Sequence, residues 1–336
     1  MRGKLKYCLK LLPWKMLVMR TRQLLIIGVI AAALITTLVS GLFIKSYATV
    51  AQPHRFVPHN DCKSWKTTSQ HKSTLITKTA CVQNYFLLIL VSSSPANLER
   101  RNLIRQTWGA DNNAGPQWKT YFLLGQTRNQ TLTDSLKIEN NNHGDMIRAD
   151  YYEHYWNQSL KIQMAFEWAA RYCNFSFLLK TDDDVLVNTR DLLVYLQRGS
   201  TPKEGLFVGR LHHNPSVRRT GKWNVSYEEY NHTRYPDFCS GAGFVMSYDV
   251  IQCLVPLFDE IKPYRMDDVY VGMLANRSGV IAMDHKSFFM PIDDYDDCNF
   301  VPNILLQHRA TGQCLMKLLH MHSKEFLYST KLGSYF

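Results

Sequence analysis

Residues 24–44 form a run of 21 positions without a charged side chain, and this run restricts the possible folds more than any other feature. A helix of that length extends about 31 Å, which is the thickness of the hydrocarbon core of a membrane. Positions 1–23 contain seven basic residues and no acidic ones. Because basic flanks stay cytoplasmic, the sequence predicts one membrane helix with a cytoplasmic tail at 1–23 and a lumenal remainder. A cleaved signal peptide is the alternative, although its apolar region usually has only about 7–15 residues.

The charge of the chain argues against one class of partner. The net charge is +11, of which the basic tail carries seven, so +4 remains for the rest of the chain. Nucleic-acid binding needs a strongly basic surface, and a surplus this small does not supply one. The sequence therefore predicts no nucleic-acid partner.

Two further patterns are typical of a lumenal protein. Seven of the eight cysteines follow the apolar run, and none forms the close Cys-x-x-Cys pair of a zinc site, so disulfides are predicted. Because seven is odd, one thiol should be free or bonded to another chain, and a homodimer is left open. The N-glycosylation pattern Asn-x-Ser/Thr occurs at six positions, Asn129, Asn157, Asn174, Asn224, Asn231 and Asn276.

The remaining chain divides into a stem and one large domain. Residues 45–79 are rich in Ser, Thr, Lys, His and Pro and have little periodicity, which is typical of an extended stem. Residues 80–336 then alternate between short apolar runs, typical of buried strands, and segments with helical periodicity. Strands are predicted at 85–91, 119–124 and 175–179, and helices at 96–107 and 158–172. This alternation predicts an α/β fold.

Three aspartates, Asp182, Asp183 and Asp184, follow the predicted central strand at 175–179. Ligands of open α/β sheets bind beyond the carboxyl ends of the strands. Adjacent carboxylates repel one another, so a fold that gathers them needs a cation, and a hard divalent ion that also contacts diphosphate oxygens would serve. Strand periodicity directs Asp182 and Asp184 to one side and Asp183 to the other. A solvated acidic turn is the alternative.

Five blocks occur in order along the chain. They are RNLIRQTWG at 101–109, FLLG at 122–125, FLLKTDDDVLVN at 177–188, YPDFCSGAGF at 235–244 and DDVYVG at 267–272. Together they resemble the β1,3-galactosyltransferase and β1,3-N-acetylglucosaminyltransferase family. The resemblance implies a GT-A-type, Rossmann-like mixed sheet flanked by helices, in a type II Golgi membrane enzyme. It also implies Mn²⁺, a UDP-sugar donor and inversion at the anomeric carbon.

The block at 267–272 implies the catalytic base. Inverting transfer needs one base that takes the proton of the acceptor hydroxyl as this hydroxyl attacks the anomeric carbon. By its position in the motif Asp268 is the predicted base. Asp267 stands where the family has Glu, and its charge would raise the pKa of Asp268. The alternative is that both are ordinary helix N-terminal residues, stabilised by the helix dipole.

The family pattern also implies the ligands of the metal and of the donor. A histidine after a late apolar strand completes the metal site, and NILLQH at 303–308 provides His308, with His285 in reserve. Mn²⁺ is thus predicted on Asp182, Asp184 and His308. Arg101 and Arg105 lie four positions apart and share a helix face, so both are predicted to bind the donor, unless they form a solvated basic face. Lys180 and Asp183 are assigned to donor binding with them.

Aromatic and glycine residues predict the sugar pocket. Trp223 and Tyr227 precede the block at 235–244 and could stack on a sugar ring, and Tyr235 opens that block. Gly241 and Gly243 let the backbone approach a ligand closely, although a tight turn would need them too. A further acidic cluster is interpreted as a solvated loop rather than a second metal site: Asp293, Asp294, Asp296 and Asp297.

The predicted activity is transfer of galactose from UDP-galactose to the 3-OH of a terminal GlcNAc or GalNAc on a glycoprotein or glycolipid. The first alternative keeps the enzyme class and makes UDP-GlcNAc the donor. The second is a non-catalytic glycan-binding protein or chaperone of the Golgi.

Overall fold

A computed structural model describes residues 74–115, 117–291 and 298–332. The predicted tail, the predicted membrane helix at 24–44 and most of the predicted stem lie outside these residues. The acidic cluster at 293–297 also lies outside them. Within the described residues, no helix is long and apolar enough to cross a membrane.

A mixed sheet of seven strands lies at the centre of the described fold, in the order β3-β2-β1-β4-β7-β6-β8. The strands β1, β2, β3 and β4 are parallel to one another, whereas β7 is antiparallel to both β4 and β6. The bounds are β1 (Tyr85–Ser92), β2 (Trp118–Gln126), β3 (Met146–Tyr152), β4 (Phe175–Asp182), β6 (Phe207–His212), β7 (Phe238–Ser247) and β8 (Met283–Asp284). A mixed α/β sheet was predicted, and the structure confirms it.

Helices cover both faces of this sheet. They are α1 (Leu98–Gln106), α2 (Gln130–His143), α3 (Gln158–Tyr172), α4 (Thr189–Gln197), α5 (Tyr248–Leu254), α6 (Asp267–Ser278) and α7 (Gly312–Leu332). Successive residues of β1 enter different cores: Leu88 packs in the cluster that contains α3, and Ile89 packs in the cluster that contains Ile104 of α1. Burial on both faces explains why β1 is a continuous apolar run. Each such side chain contributes about 1.5–3 kcal/mol relative to an exposed one.

A small second sheet joins distant parts of the chain. It has the order β5-β10-β9, with β5 (Val185–Val187), β9 (Phe288–Phe289) and β10 (Leu306–His308). In its antiparallel register His308 lies opposite Val185. The Ala310 amide also donates to the Asp184 carbonyl oxygen at 2.8 Å. The sheet therefore brings the late histidine beside the residues that follow the aspartates.

Two predicted boundaries are wrong. The central strand predicted to end at residue 179 continues as β4 to Asp182, so Lys180 and Thr181 are strand residues. The stem predicted to reach residue 79 ends earlier, because Leu75 is buried and forms a β-bridge with Ala149 of β3. Strand β3 is the edge of the sheet, and its backbone groups need partners. The folded part of the chain therefore includes residues 74–79.

Disulfides were predicted among the cysteines that follow the apolar run, and the structure contains them. Cys81 bonds to Cys173, Cys298 bonds to Cys314, and Cys253 is also disulfide-bonded. Among the described cysteines the free thiol is Cys239, which is buried. Burial raises the pKa of this thiol, so it remains protonated and unreactive.

Candidate active site

A cavity of about 610 Å³ opens where β1 and β4 end, as expected for a ligand site of an α/β sheet. Its wall includes the residues after β4, the first residues of α6 and the end of β10. The structure therefore brings eight predicted residues to one cavity: Asp182, Asp183, Asp184, Trp223, Gly241, Asp267, Asp268 and His308.

Lys180 contacts both acidic motifs of the cavity, the aspartates at 182–184 and those at 267–268. Its ammonium donates to Asp182 Oδ1 at 2.8 Å, to the Gly241 carbonyl oxygen at 2.5 Å and to Asp267 Oδ2 at 3.1 Å. The side chain is only 2% exposed. All three N–H groups of the ammonium are therefore bonded within the protein. The predicted role of Lys180 in binding the UDP-sugar does not fit this arrangement. Lys180 positions the two carboxylates instead.

The charges around Lys180 do not cancel. Burial lowers the pKa of the Lys180 ammonium, but Asp182 and Asp267 outweigh burial and the net pKa is raised. Burial raises the pKa of Asp182, Lys180 lowers it, and the charges of Asp267 and Asp184 raise it again. One ammonium thus faces several carboxylates in a partly desolvated cavity. The excess negative charge favours binding of a further cation.

Asp268 lies in the first turn of α6, half-buried at the cavity wall. Burial and the charge of Asp267 raise the pKa of its carboxyl to about 7. The Val269 amide, which donates to Asp268 Oδ1 at 2.8 Å, and Lys180 lower this pKa in part. A carboxyl with this pKa is suited to accept a proton near neutral pH.

The raised pKa of Asp268 predicts a pH dependence of sugar transfer. A base acts in its deprotonated form, so activity should be lost as the pH falls through about 7. Below that pH, we expect kcat/KM to fall about tenfold per pH unit, because each unit lowers the deprotonated fraction tenfold. Initial rates between pH 5 and 9, at fixed metal and ionic strength, measure the profile. A profile that is flat down to pH 5 would contradict the assignment of Asp268 as the base.

Asp183 points away from the other carboxylates, as strand periodicity predicted. Its oxygens accept from Ser93 Oγ at 2.7 Å, from Asn97 Nδ2 at 2.8 Å and from Arg100 Nη1 at 2.9 Å. Asp183 therefore ties the end of β4 to the loop between β1 and α1. Ser93 and Asn97 also line the cavity and were missed from the sequence. The place of Ser93 at the cavity could have been predicted, because the serines at 92–94 lie at the end of a buried strand, as the aspartates do.

Asp184 and His308 fit two ligands of a divalent cation. Asp184 Oδ1 is buried, accepts no hydrogen bond from the described residues, and lies 3.7 Å from His308 Nε2. A buried carboxylate oxygen without a donor is unfavourable, and a cation would satisfy it. Asp182, the third predicted ligand, is instead bonded to Lys180. In the described part of the chain, no three His, Cys, Asp or Glu side chains are arranged to hold a metal ion.

Arg101 and Arg105 do not lie at the cavity, so their predicted role in donor binding does not fit. Arg101 is fully buried and forms two bonds with Glu139 of α2, at 2.8 and 2.7 Å. Arg105 pairs with Glu139 at 2.7 Å and with Asp145 at 2.8 Å. The shared helix face was inferred correctly from the four-residue spacing. That face meets the protein interior and not the ligand.

A hydrogen-bond network that includes two residues of the cavity wall, Glu153 and Lys161, explains the glycine of the block at 122–125. Lys161 donates to the Ser93 carbonyl oxygen at 2.8 Å and to Glu153 Oε2 at 3.0 Å, and Glu153 Oε1 accepts from the Gly125 amide at 2.8 Å. A Cβ atom on Gly125 would lie 2.8 Å from the Tyr151 carbonyl oxygen. Glycine is therefore needed here for close packing. Glu153 and Lys161 were not predicted, because their contacts with Gly125 and Ser93 join distant parts of the chain.

A second cavity of about 230 Å³ adjoins the first. The two cavities share Trp223, Met266 and Asp268 in their walls. Tyr235 lines the second cavity, and its hydroxyl lies 2.9 Å from that of Tyr264. Trp223 and Asp268 therefore lie where the two cavities join, and Tyr235 lies in the wall of the small cavity beside them. The large cavity has space for a nucleotide sugar, and the small one has space for part of a second sugar.

Gly241 lies at the large cavity, whereas three other predicted residues do not. Gly243 is in the sheet, where a Cβ atom would lie 2.2 Å from Leu306 Cδ1, so its role is packing. Tyr227 is 63% exposed, lies 3.9 Å from the Arg219 guanidinium, and lines neither cavity. The reserve ligand His285 packs on Tyr195, with ring centroids 4.7 Å apart, away from the aspartates.

An aromatic cluster borders the junction of the cavities. Trp223 contacts Tyr155 and Trp156, with centroid distances of 5.6 and 6.0 Å. The Lys222 ammonium lies 4.7 Å from the Trp223 ring centroid. Tyr155 and Lys222 line the large cavity and were not predicted, because nothing in their local sequence separates them from surface residues.

The predicted glycosylation sites lie mostly at the surface. Asn157 is half-buried and its amide donates to the Tyr152 carbonyl oxygen at 2.9 Å, so it is the least accessible of the six. The other sites are exposed: Asn129, Asn174, Asn224, Asn231 and Asn276.

Residues 99–286 match the sequence model of the galactosyltransferase family. The chain belongs to this family. The matched segment includes all five blocks, and it also contains both acidic motifs of the cavity. Membership in the galactosyltransferase family confirms the resemblance inferred from the motifs. The predicted hexosyltransferase class agrees with the family.

Two curated relatives are equally similar to this galactosyltransferase-family chain. β-1,3-Galactosyltransferase 5 of Pan paniscus is 38% identical over 199 residues, 58% of this chain and 66% of that protein. UDP-GalNAc:β-1,3-N-acetylgalactosaminyltransferase 1 of Sus scrofa is 38% identical over 226 residues, 64% of this chain and 68% of that protein. The chain thus spans about two thirds of the length of these relatives.

A solved structure of the galactosyltransferase LgtC, in complex with donor and acceptor sugar analogs, matches 67% of this chain and 87% of its own. The sequence identity is 11% and the TM-score is 0.36. Membership in the galactosyltransferase family therefore rests on the sequence matches.

Proposed function

We propose that this chain is a divalent-metal-dependent, inverting β1,3-hexosyltransferase with a GT-A-type catalytic domain. It transfers galactose from UDP-galactose to the 3-OH of a terminal GlcNAc or GalNAc on a glycoprotein or glycolipid. One observation supports this most strongly: Asp268, with its pKa raised to about 7, lies in the walls of both cavities. A base that removes a proton from the acceptor must lie between the donor and the acceptor.

In the proposed reaction, the UDP-sugar lies in the large cavity and the acceptor sugar in the small one. Asp268 takes the proton of the acceptor O3, O3 bonds to the anomeric carbon, and the bond from that carbon to the phosphate oxygen breaks. UDP leaves with the electron pair. Lys180 holds Asp267 and Asp182 in place. Asp184 and His308, with Asp182 in the same cavity wall, would hold Mn²⁺, and the ion would supply positive charge for the diphosphate.

The donor is the part of this proposal that the relatives leave open. One transfers galactose and the other N-acetylgalactosamine by name, and both are 38% identical to this chain. UDP-GalNAc is therefore a second candidate donor, beside the UDP-GlcNAc considered from the sequence. An N-acetyl group needs extra space in the pocket. Transfer assays with the three UDP-sugars and linkage analysis of the product test the proposal, which fails if none is transferred or if the linkage is not β1,3.

The proposed metal site predicts the effect of removing Asp184. In the Asp184→Ala variant we expect transfer to fall at least about 10²-fold, because a cation would lose a carboxylate ligand. Chelation of the wild-type protein should abolish transfer, and added Mn²⁺ should restore it. Asp134→Ala, an exposed aspartate on α2, is the control and should keep full activity. Near-normal turnover after chelation would contradict a role for the metal.

We also propose a Golgi membrane location with one type II anchor at residues 24–44. The supporting features are the uncharged run, the basic tail before it and the disulfides of the folded domain. A protein without residues 1–45 should be soluble and active, because the catalytic residues belong to the folded domain. Full-length and truncated proteins are compared for transfer activity. A folded but inactive truncated protein would show that the anchor contributes to catalysis.

A further inference from the structure

Arg218 is a charged residue of the small cavity that the proposed reaction does not use. It lines that cavity and not the large one, so it lies on the acceptor side of Asp268. No carboxylate of the described residues pairs with its guanidinium, whereas Arg265 of the large cavity pairs with Glu229 at 3.3 Å. Within the described part of the chain, Arg218 is therefore a cation without a carboxylate partner on the acceptor side.

The segment that carries Arg218 is held in place by backbone hydrogen bonds. The Val225 amide donates to the Arg218 carbonyl oxygen, and the Val217 amide donates to the Thr233 carbonyl oxygen, both at 2.9 Å. Val217 and Val225 are buried beneath the segment. The fold thus fixes the backbone at Arg218 beside the small cavity, while the side chain is exposed.

The surroundings of Arg218 favour an anion. Among the described residues, Asp268 is the one carboxylate in the wall of the small cavity. His212, also in that wall, stacks on Phe238 with ring centroids 4.9 Å apart. Burial, then Arg210 and Arg218, lower the pKa of His212, so the ring is a neutral hydrogen-bonding group beside the guanidinium. Arg218 is exposed, so its guanidinium is open to an oxyanion of an acceptor that occupies this cavity.

We propose that the acceptor of this enzyme carries an acidic group, a carboxylate or a sulfate ester, and that Arg218 binds it. The inference rests on the proposed glycosyltransferase function and specifies its acceptor class. The planar guanidinium can form two parallel hydrogen bonds with either oxyanion, and such charge-assisted bonds are stronger than those to sugar hydroxyls. Recognition would take place beside the sugar whose 3-OH faces Asp268.

Matched acceptors test this proposal. They are disaccharides with a terminal GlcNAc whose second sugar is glucose, glucuronic acid or glucose 6-sulfate. For the wild-type protein we expect a kcat/KM about tenfold higher for at least one acidic acceptor than for the neutral one, with a preference that weakens at high salt. Arg218→Gln should lower the ratio of acidic to neutral kcat/KM to about one. The two acidic arms distinguish a carboxylate from a sulfate.

Arg210→Gln is the control, because it removes the same charge from β6 at a residue that lines neither cavity. It should keep the preference for the acidic acceptor. Equal kcat/KM for the three acceptors in the wild-type protein, or a preference that survives Arg218→Gln, would overturn the proposal. Transfer to the neutral acceptor alone would leave the proposed enzyme function intact. Absence of transfer to every acceptor would remove both.

Discussion

Replacing Asp268 with Asn is expected to lower kcat about 10²–10⁴-fold, the usual contribution of a general base. Asn has nearly the same shape, so it can still accept the Val269 amide bond at the start of α6. It cannot accept a proton from the acceptor hydroxyl. Donor binding should therefore persist while transfer is lost. Titration of UDP binding and measurement of kcat on the same preparation separate these two effects.

The adjacent Asp267 provides a matched comparison. Its charge raises the pKa of Asp268, so Asp267→Asn should shift the acid limb of the pH profile to lower pH while leaving a functional base. A smaller loss of kcat is expected than for Asp268→Asn, although Lys180 loses one of its two carboxylate partners. If Asp267→Asn abolished transfer and Asp268→Asn retained it, the two roles would have to be exchanged.

The parts of this site that are local in sequence could be predicted from it. A buried parallel strand appears as an apolar run, and polar residues at its end lie at the sheet edge that binds ligands. Asp182 and Asp184 were predicted in this way, and both line the cavity. The serines at the end of β1 have the same position in the sheet and also line the cavity, but they were not predicted.

The remaining parts depend on partners far apart in the chain. Arg101 and Arg105 face inward because Glu139 and Asp145 of a later segment meet them there. A sequence shows that two arginines share a helix face, but not whether that face contacts ligand or acid. Likewise, Lys180 looks like a ligand-binding cation until the fold places it between the two acidic motifs. The small cavity itself exists only because residues 212–238 return to α6.

The second large effect is expected from Arg101, as a loss of stability. Its guanidinium is fully buried, bonds twice to Glu139 and donates to the Ser94 carbonyl oxygen at 2.6 Å. Arg101→Met would leave a buried carboxylate and buried carbonyl groups with fewer donors. Removing one partner of a buried pair costs about 3–5 kcal/mol. Because Arg105 still pairs with Glu139, we expect about 3 kcal/mol and a Tm lower by about 6–12 °C.

Two variants separate this explanation from a general effect of losing an arginine. Arg277→Met on α6 removes an arginine whose side chain is 57% exposed and whose partner Glu260 is 50% exposed, and it should cost less than about 1 kcal/mol. The double variant Arg101→Met/Glu139→Met removes the uncompensated carboxylate together with its partner, so it should recover part of the lost stability. A double variant that is less stable than Arg101→Met would contradict this explanation. The loss of stability in Arg101→Met would then not come from the unpaired charge of Glu139.

The Arg101→Met variant also tests whether the Arg101–Glu139 pair affects binding of the UDP-sugar in the large cavity. Arg101 Nη1 donates to Ser93 Oγ at 3.1 Å, and Ser93 Oγ in turn donates to Asp183 at 2.7 Å. The loop between β1 and α1 is therefore held from the interior by Arg101 and from the cavity by Asp183. At a temperature where Arg101→Met remains folded, we expect KM for the UDP-sugar to rise while the acid limb of the pH profile stays in place. A shift of the acid limb would mean that Arg101 changes the pKa of Asp268. No shift is expected, because the cavity residue that Arg101 contacts is Ser93 and not Asp268.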